Sequence, residues 1–314
     1  GAYYSTESDP SPAFDLTSIV CNDTDSSGDV KARTATFKLQ AGETIKCTFT
    51  DEKRGTIIVE KETIGGDGTF NYTSESPVGG STPLPSPFNI TTSGLFGSRT
   101  FSNLKSGTYN VTESGPDLPW DFTGLKCSAG GSVSGQKATI TLAAGETVTC
   151  TFTDTKRGHI IVDKVTVPSK DPQGFEFTPS YGAKFSLADE STPNDSGPLA
   201  PGMYSVAETV PDGWKLTDIT CNDTNSSGDL GTETATFNLE AGEVVNCTFT
   251  DTKLGTIVVE KQTEPDGDPA TFEFTGTANG IISDDGLIIV TNLPPENYTS
   301  TEIVPPKWDL TSIV

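Results

Sequence analysis

Apolar and polar residues alternate along most of this chain. In "GTIIVEK", from Gly55, Ile57 and Val59 share their parity with Lys61. "GTYNVTE", from Gly107, puts Tyr109 and Val111 in step with Glu113, and "CTFTD", from Cys150, puts Cys150 and Phe152 in step with Asp154. A period of two marks strands with one face on a core. "AGET" turns stand between two late strands, where they are expected to close hairpins, and "SGTY" or "APGMY" opens an earlier one. The pattern predicts an all-β chain of many short strands.

The pattern also repeats. "KCTFTDEKRGTIIVEKET" from Lys46, "TCTFTDTKRGHIIVDKVT" from Thr149 and "NCTFTDTKLGTIVVEKQT" from Asn246 agree nearly residue for residue. "FKLQAGETIKC", "ITLAAGETVTC" and "FNLEAGEVVNC" precede them, and "GTYNVTE" is echoed by "GMYSVAE" from Gly202, "ENYTSTE" from Glu296 and "GAYYSTE" from Gly1. A period of roughly 100 residues is too long for a solenoid and suits independent sandwich domains. Two complete units are expected at 55–154 and 155–253, flanked by the second half of a repeat at 1–54 and the first half of another at 254–314. Almost no linker separates them, so the expected architecture is tandem immunoglobulin-like or prealbumin-like β-sandwich domains in a rod. "DLTSIV" occurs at 15–20, before Cys21, and again at 309–314. A longer array that continues into cysteine is one expectation from this repeat, and completion of each half by a neighbouring subunit is the other.

Taken together, "GTIIVEK", "GTYNVTE" and "TCTFTD" resemble the prealbumin-like, Cna protein B-type (SpaA-like pilin) sandwich repeats of pilins, adhesins and other long surface proteins, over essentially the whole chain. The resemblance implies the fold and an extracellular or cell-surface setting; it is weak for any one activity.

Six cysteines fall one pair per unit, as Cys21 and Cys47, Cys127 and Cys150, Cys221 and Cys247. With one histidine, His159, and no CxxC pair, disulfides within each unit are favoured over zinc. Asparagine glycosylation sequons stand at Asn22, Asn71, Asn89, Asn110, Asn194, Asn222, Asn225, Asn246 and Asn297, and make covalent glycans a candidate modification. "DTDSSGD" from Asp23 and "DTNSSGD" from Asp223 echo half a calcium loop, but Thr34 and Thr234 stand where its last glutamate belongs. Polar hairpin turns are the expectation there, with no metal and no cofactor.

Lysine, glutamate and aspartate at core-facing parity are the unusual feature. They are Lys61, Glu113 and Asp154 in the first complete unit, and Lys164, Glu208 and Asp251 in the second. Burying such charges singly is costly, so they are expected to meet or to reach outward. Desolvation favours the neutral amine and the neutral acids, the condition for an amine to attack an aspartyl carboxyl while glutamate moves protons. The resembled family makes that isopeptide bond with lysine on the first strand, aspartate or asparagine on the last, and a glutamate between. An uncrosslinked ion cluster is the alternative.

A net charge of −23 repels nucleic acid and anionic membrane surfaces, and no apolar run reaches the length of a membrane span. His159 has no second histidine to build a base or metal site, and Trp120, Trp214 and Trp308 recur at one place in the repeat, as core anchors or as sugar-binding residues. Conventional enzyme activity finds no support. The expected function is a structural subunit or segment of an extracellular filament, pilus-like fibre or surface stalk, with neighbouring copies or repeats as end-to-end partners. The alternative is an adhesin module that recognises glycans or host proteins through loops such as residues 74–94.

Overall fold

A computed structural model of the chain describes residues 1–76 and 83–314. Every regular element among them is a strand, and the chain divides into two compact units, Gly1–Arg157 and Gly158–Val314.

The first unit holds a complete sandwich. Its four-stranded sheet runs, edge to edge, Trp120–Cys127, Thr147–Lys156, Gly55–Ile64 and Phe96–Leu104. Its five-stranded sheet runs Gly131–Ser134, Lys137–Leu142, Gly107–Glu113, Thr69–Glu75 and Phe88–Thr91. The opening strand, Gly55–Ile64, and the closing strand, Thr147–Lys156, are parallel neighbours. Alternation builds the core: Ile57 and Val59 from the opening strand meet Tyr109 and Val111 from the facing sheet, with Val148, Cys150 and Phe152 from the closing strand. Before this sandwich, Ala2–Thr6, Thr34–Lys38 and Ser27–Asp29 form one sheet, and Phe14–Cys21 pairs with Cys47–Lys53.

The second unit repeats the plan. His159–Val167 opens its sandwich and lies parallel to the closing strand Val244–Lys253, with Trp214–Cys221 beyond it. The facing sheet runs Phe185–Leu187, Phe175–Pro179, Gly202–Thr209, Thr234–Leu239 and Ser227–Asp229. After it come the pair Gly255–Glu260 with Leu287–Leu293, and the sheet Gly280–Ile282, Phe272–Gly276 and Ser300–Ile303.

Two sequence expectations need correction. The "AGET" turns do not close hairpins, because Lys137–Leu142 and Thr147–Lys156 belong to opposite sheets, as do Thr234–Leu239 and Val244–Lys253. The turn glutamate explains the motif: Glu43, Glu146 and Glu243 each accept the backbone N–H three residues back, at Gln40, Ala143 and Glu240. A turn capped by its own side chain is free to cross the sandwich. The "SSGD" segments also cross between sheets instead of closing hairpins, and their glycines are set by packing. A Cβ on Gly28 or Gly228 would lie 2.3 Å from the Cβ of Ile19 or Ile219 on the strand beneath.

Candidate functional site

Lysine reaches the core because it keeps the parity of the residues before it. Lys61 follows Ile57 and Val59 on the inward face and is fully buried. Its Nζ donates to Glu113 Oε1 at 2.8 Å and lies 2.8 Å from Asp154 Oδ2. Lys61 belongs to the opening strand, Asp154 to the closing strand, and Glu113 to the facing sheet, so one amine ties three elements together. In the second sandwich, Lys164 Nζ donates to Asp251 Oδ2 in a short contact and stands 3.4 Å from Glu208 Oε1. It also donates to the carbonyls of Val165 and Phe249, at 3.2 and 3.3 Å.

Both clusters are buried and short of hydrogen bonds. Among the described residues Asp154 Oδ1, Glu113 Oε2, Glu208 Oε2 and Asp251 Oδ1 have no hydrogen-bond partner, while Asp154 Oδ2 and Glu208 Oε1 have only their lysine. Orphaned carboxylate oxygens are costly in a core, and the neutral acid or an amide relieves that cost. Burial pushes the Glu113 carboxyl up to about 7 against the pull of Lys61, and that of Glu208 to about 8 against Lys164. Asp154 is raised for the same reason, against Lys61. An amine, a neighbouring acid and a protonated glutamate are the groups an amide-forming step needs.

The floor of each cluster was not legible beforehand. Lys61 lies 4.2 Å above the Phe70 ring, Lys164 4.1 Å above Phe175 and Lys261 4.2 Å above Phe272. Each phenylalanine is in turn struck edge-on by the repeat's tryptophan: Trp120 at 5.2 Å, Trp214 at 5.3 Å and Trp308 at 5.1 Å between centroids. The tryptophans thus wall the lysine site from outside. The available signal was one phenylalanine per repeat shortly after the lysine, nine residues on from Lys61 and eleven from Lys164 and Lys261.

The half-repeats hold incomplete clusters. Among the described residues Lys261 meets Glu302 at 2.9 Å with no aspartate paired to it, and Glu7 is pushed up by desolvation and by a hydrogen bond with Asp51, with no lysine paired to either.

The disulfides join Cys21 to Cys47, Cys127 to Cys150 and Cys221 to Cys247. In each case the two cysteines face one another directly on adjacent antiparallel strands, rather than across an "AGET" hairpin. His159 pairs with Asp195 at 2.9 Å near the surface. Of the sequon asparagines, Asn22, Asn71, Asn89, Asn222, Asn225 and Asn297 are exposed, whereas Asn110, Asn194 and Asn246 are partly buried. Asn71 and Asn89 sit directly opposite one another on paired strands. The candidate binding loop 74–94 includes residues 77–82, which lie outside the described residues. The carboxylates of Asp23, Asp25 and Glu43 come within 4.8 Å of one another, but Asp23 is engaged by Ser26 and Glu43 by the Gln40 N–H. These acids stabilise turns.

Sequence reasoning missed the repeat junctions. Arg54 grips Asp15 with two hydrogen bonds of 2.8 and 2.7 Å and reaches the Asn103 carbonyl at 3.3 Å. Arg157 grips Asp121 with two of 2.8 Å. At the third junction Leu254 replaces the arginine and Lys215 replaces the aspartate, so the pair changes together. That joint change, "KRG" with "FD" or "WD" and "KLG" with "WK", was the available signal.

Both core glutamates hold a proton more tightly folded than unfolded. Their stabilising effect is therefore full below the ordinary glutamate range and lost as pH rises through about 7 for Glu113 and about 8 for Glu208. The loss is on the order of 3 kcal/mol at Glu113 and 5 kcal/mol at Glu208. Melting temperature should fall between about pH 5 and 8.5, a window above the lowered surface aspartates. A melting temperature flat across that window would contradict the proton assignment.

Comparison with known proteins agrees with this architecture. The family described as prealbumin-like fold domain matches residues 1–53, 57–156 and 160–253. Among solved structures, the Bacillus anthracis TIE protein is 21% identical over 89% of this chain and 51% of its own, with a TM-score of 0.32, so this chain spans about half of that protein. The T-13 major pilin of Streptococcus pyogenes is 14% identical over 63% of this chain and 97% of its own, with a TM-score of 0.29. The shaft pilin SpaA of Lactobacillus rhamnosus GG is 13% identical over 64% and 98%, with a TM-score of 0.24. No curated protein sequence matches this chain. With three successive matches covering most of its length, each falling on a sandwich or half-sandwich, the chain belongs to the prealbumin-like fold domain family.

Proposed function

We propose that this chain is a load-bearing segment of an extracellular filament or surface stalk, joined end to end with neighbouring repeats or copies. The observation that carries the reading is the parallel adjacency of opening and closing strands, bridged by a buried lysine and aspartate in both complete sandwiches. Tension applied through Gly55 and Lys156 shears the two strands along their length, so all their hydrogen bonds resist at once. An amide between Lys61 and Asp154, and another between Lys164 and Asp251, passes that force through a covalent bond and shields the roughly 90 residues between. Glu113 and Glu208 are the proton carriers. The disulfides suit an oxidising exterior, and Asn22, Asn71, Asn89 and Asn297 offer exposed side chains for glycans.

Single-molecule pulling under reducing conditions tests this. The chain is expected to show no unfolding step near the roughly 30 nm that an unlinked sandwich of this size releases. The variant Glu208→Ala is expected to regain one such step. Full-length steps from both sandwiches of the unaltered chain would refute the load-bearing role.

A further inference from the structure

The two complete clusters differ in the aromatic residue that faces the glutamate. Tyr72 stands directly across the strand pair from Glu113, and Phe177 stands directly across from Glu208. The rings pack alike: Tyr72 meets Phe152 edge-on at 5.2 Å and stacks on Phe88 at 5.1 Å, while Phe177 meets Phe249 at 5.1 Å and stacks on Phe185 at 5.3 Å. What Phe177 lacks is the hydroxyl, which in Tyr72 is fully buried and donates to Glu113 Oε1 at 3.5 Å.

Resting on the cross-link reading above, we propose that the Tyr72 hydroxyl is a positioning group that restrains amide formation in the first sandwich, and that the second sandwich, with Phe177, closes faster and at higher pH. The reaction joins Lys61 Nζ to Asp154 Cγ, breaks the Cγ–O bond and releases one water. The ammonium and carboxylate together supply the atoms of that water, and glutamate ends as it began. Nζ must first give up a proton to gain a lone pair. With Glu113 protonated, the cluster is neutral overall and one proton passes from Nζ to Asp154. With Glu113 ionised, the added negative charge beside Nζ holds that proton in place. A hydroxyl donates more strongly to a carboxylate than to an acid, so Tyr72 favours the ionised, waiting state.

The charged and titratable groups facing Glu113 are Lys61 from the opening strand, Asp154 from the closing strand and Tyr72 from the neighbouring strand, with Asp121 acting on Asp154. Those facing Glu208 are Lys164 and Asp251. The lysine also stands closer to Glu113, at 2.8 Å, than to Glu208, at 3.4 Å, which favours the ionised form in the same direction. Reciprocal substitutions separate the two effects.

The chain recovered unfolded is refolded between about pH 6 and 9, quenched at intervals and digested, and the branched peptide of each sandwich is quantified by mass spectrometry. The Lys164–Asp251 peptide is expected first, with a lead that widens as pH rises. Tyr72→Phe is expected to speed the first site several-fold at alkaline pH and to move its upper pH limit upward, and Phe177→Tyr to move the second site's limit downward. Identical pH profiles at both sites, or profiles untouched by either substitution, would overturn the role of the hydroxyl while leaving the bond intact. Absence of both branched peptides from the unaltered chain would overturn the cross-link reading and this inference with it.

Discussion

Lys164→Met is expected to be among the most damaging single changes in the second sandwich. It removes the amine that Asp251 and Glu208 share, and both acids are buried with no other cation paired to them among the described residues. Loss of a cross-link closing a loop of about 90 residues removes roughly 4 to 5 kcal/mol by the chain-entropy argument. Stranding buried carboxyls adds about 3 to 5 kcal/mol more. A domain of this size has about 5 to 15 kcal/mol in total, so a combined loss of about 7 to 10 kcal/mol is expected to remove most of the second sandwich's stability. Replacing all three groups together, as Lys164→Met, Glu208→Leu and Asp251→Leu, is expected to recover much of the second loss but none of the first. Thermal melting of the two variants checks this. Equal stability of the single and triple variants would contradict a penalty from stranded charge.

The second large effect is steric. A Cβ on Gly228 would lie 2.3 Å from Ile219 Cβ and 2.9 Å from its carbonyl oxygen, and one on Gly131 would lie 2.3 Å from Cys127 Cβ and 2.9 Å from its Sγ. Neither neighbour is the free end of a flexible chain, so the strands themselves must separate. Overpacking of this kind costs about 1 to 3 kcal/mol, or roughly 4 to 20 °C of melting temperature in a domain of about 100 residues. Gly228→Ala is expected to fall in that range, and Gly131→Ala to raise free thiol content as well. Gly182→Ala is the control, because open space surrounds that position. Equal melting of Gly228→Ala and Gly182→Ala would show that the crossing glycine has no packing role.

The strands and their buried ions were readable because parity is local. Lys61 is inward whenever Ile57 and Val59 are, whatever lies across from them, so alternation gave the core-facing parity of the charges and left open whether they meet or reach outward. Sheet assignment was not readable. The residues around "AGET" alternate identically whether the chain folds back on its own sheet or crosses to the other, and only the capping glutamate of the turn marks a crossing. The parallel adjacency of opening and closing strands is a long-range pairing with no local signature. Tyr72 and Phe177 drew no notice in the sequence; their difference gains meaning only once the strand register places each opposite a glutamate. Leu254 with Lys215 shows the converse, a contact written in paired changes that goes unnoticed until Arg54 and Asp15 are seen together.

The most direct test of the account is the intact mass of the folded chain after disulfide reduction and removal of any glycans. Two bonds, Lys61 to Asp154 and Lys164 to Asp251, predict a mass lower than that of the sequence by two waters, with Glu113→Ala and Glu208→Ala each restoring one. A mass equal to that of the unmodified sequence would contradict the covalent account and leave two buried ion clusters in its place.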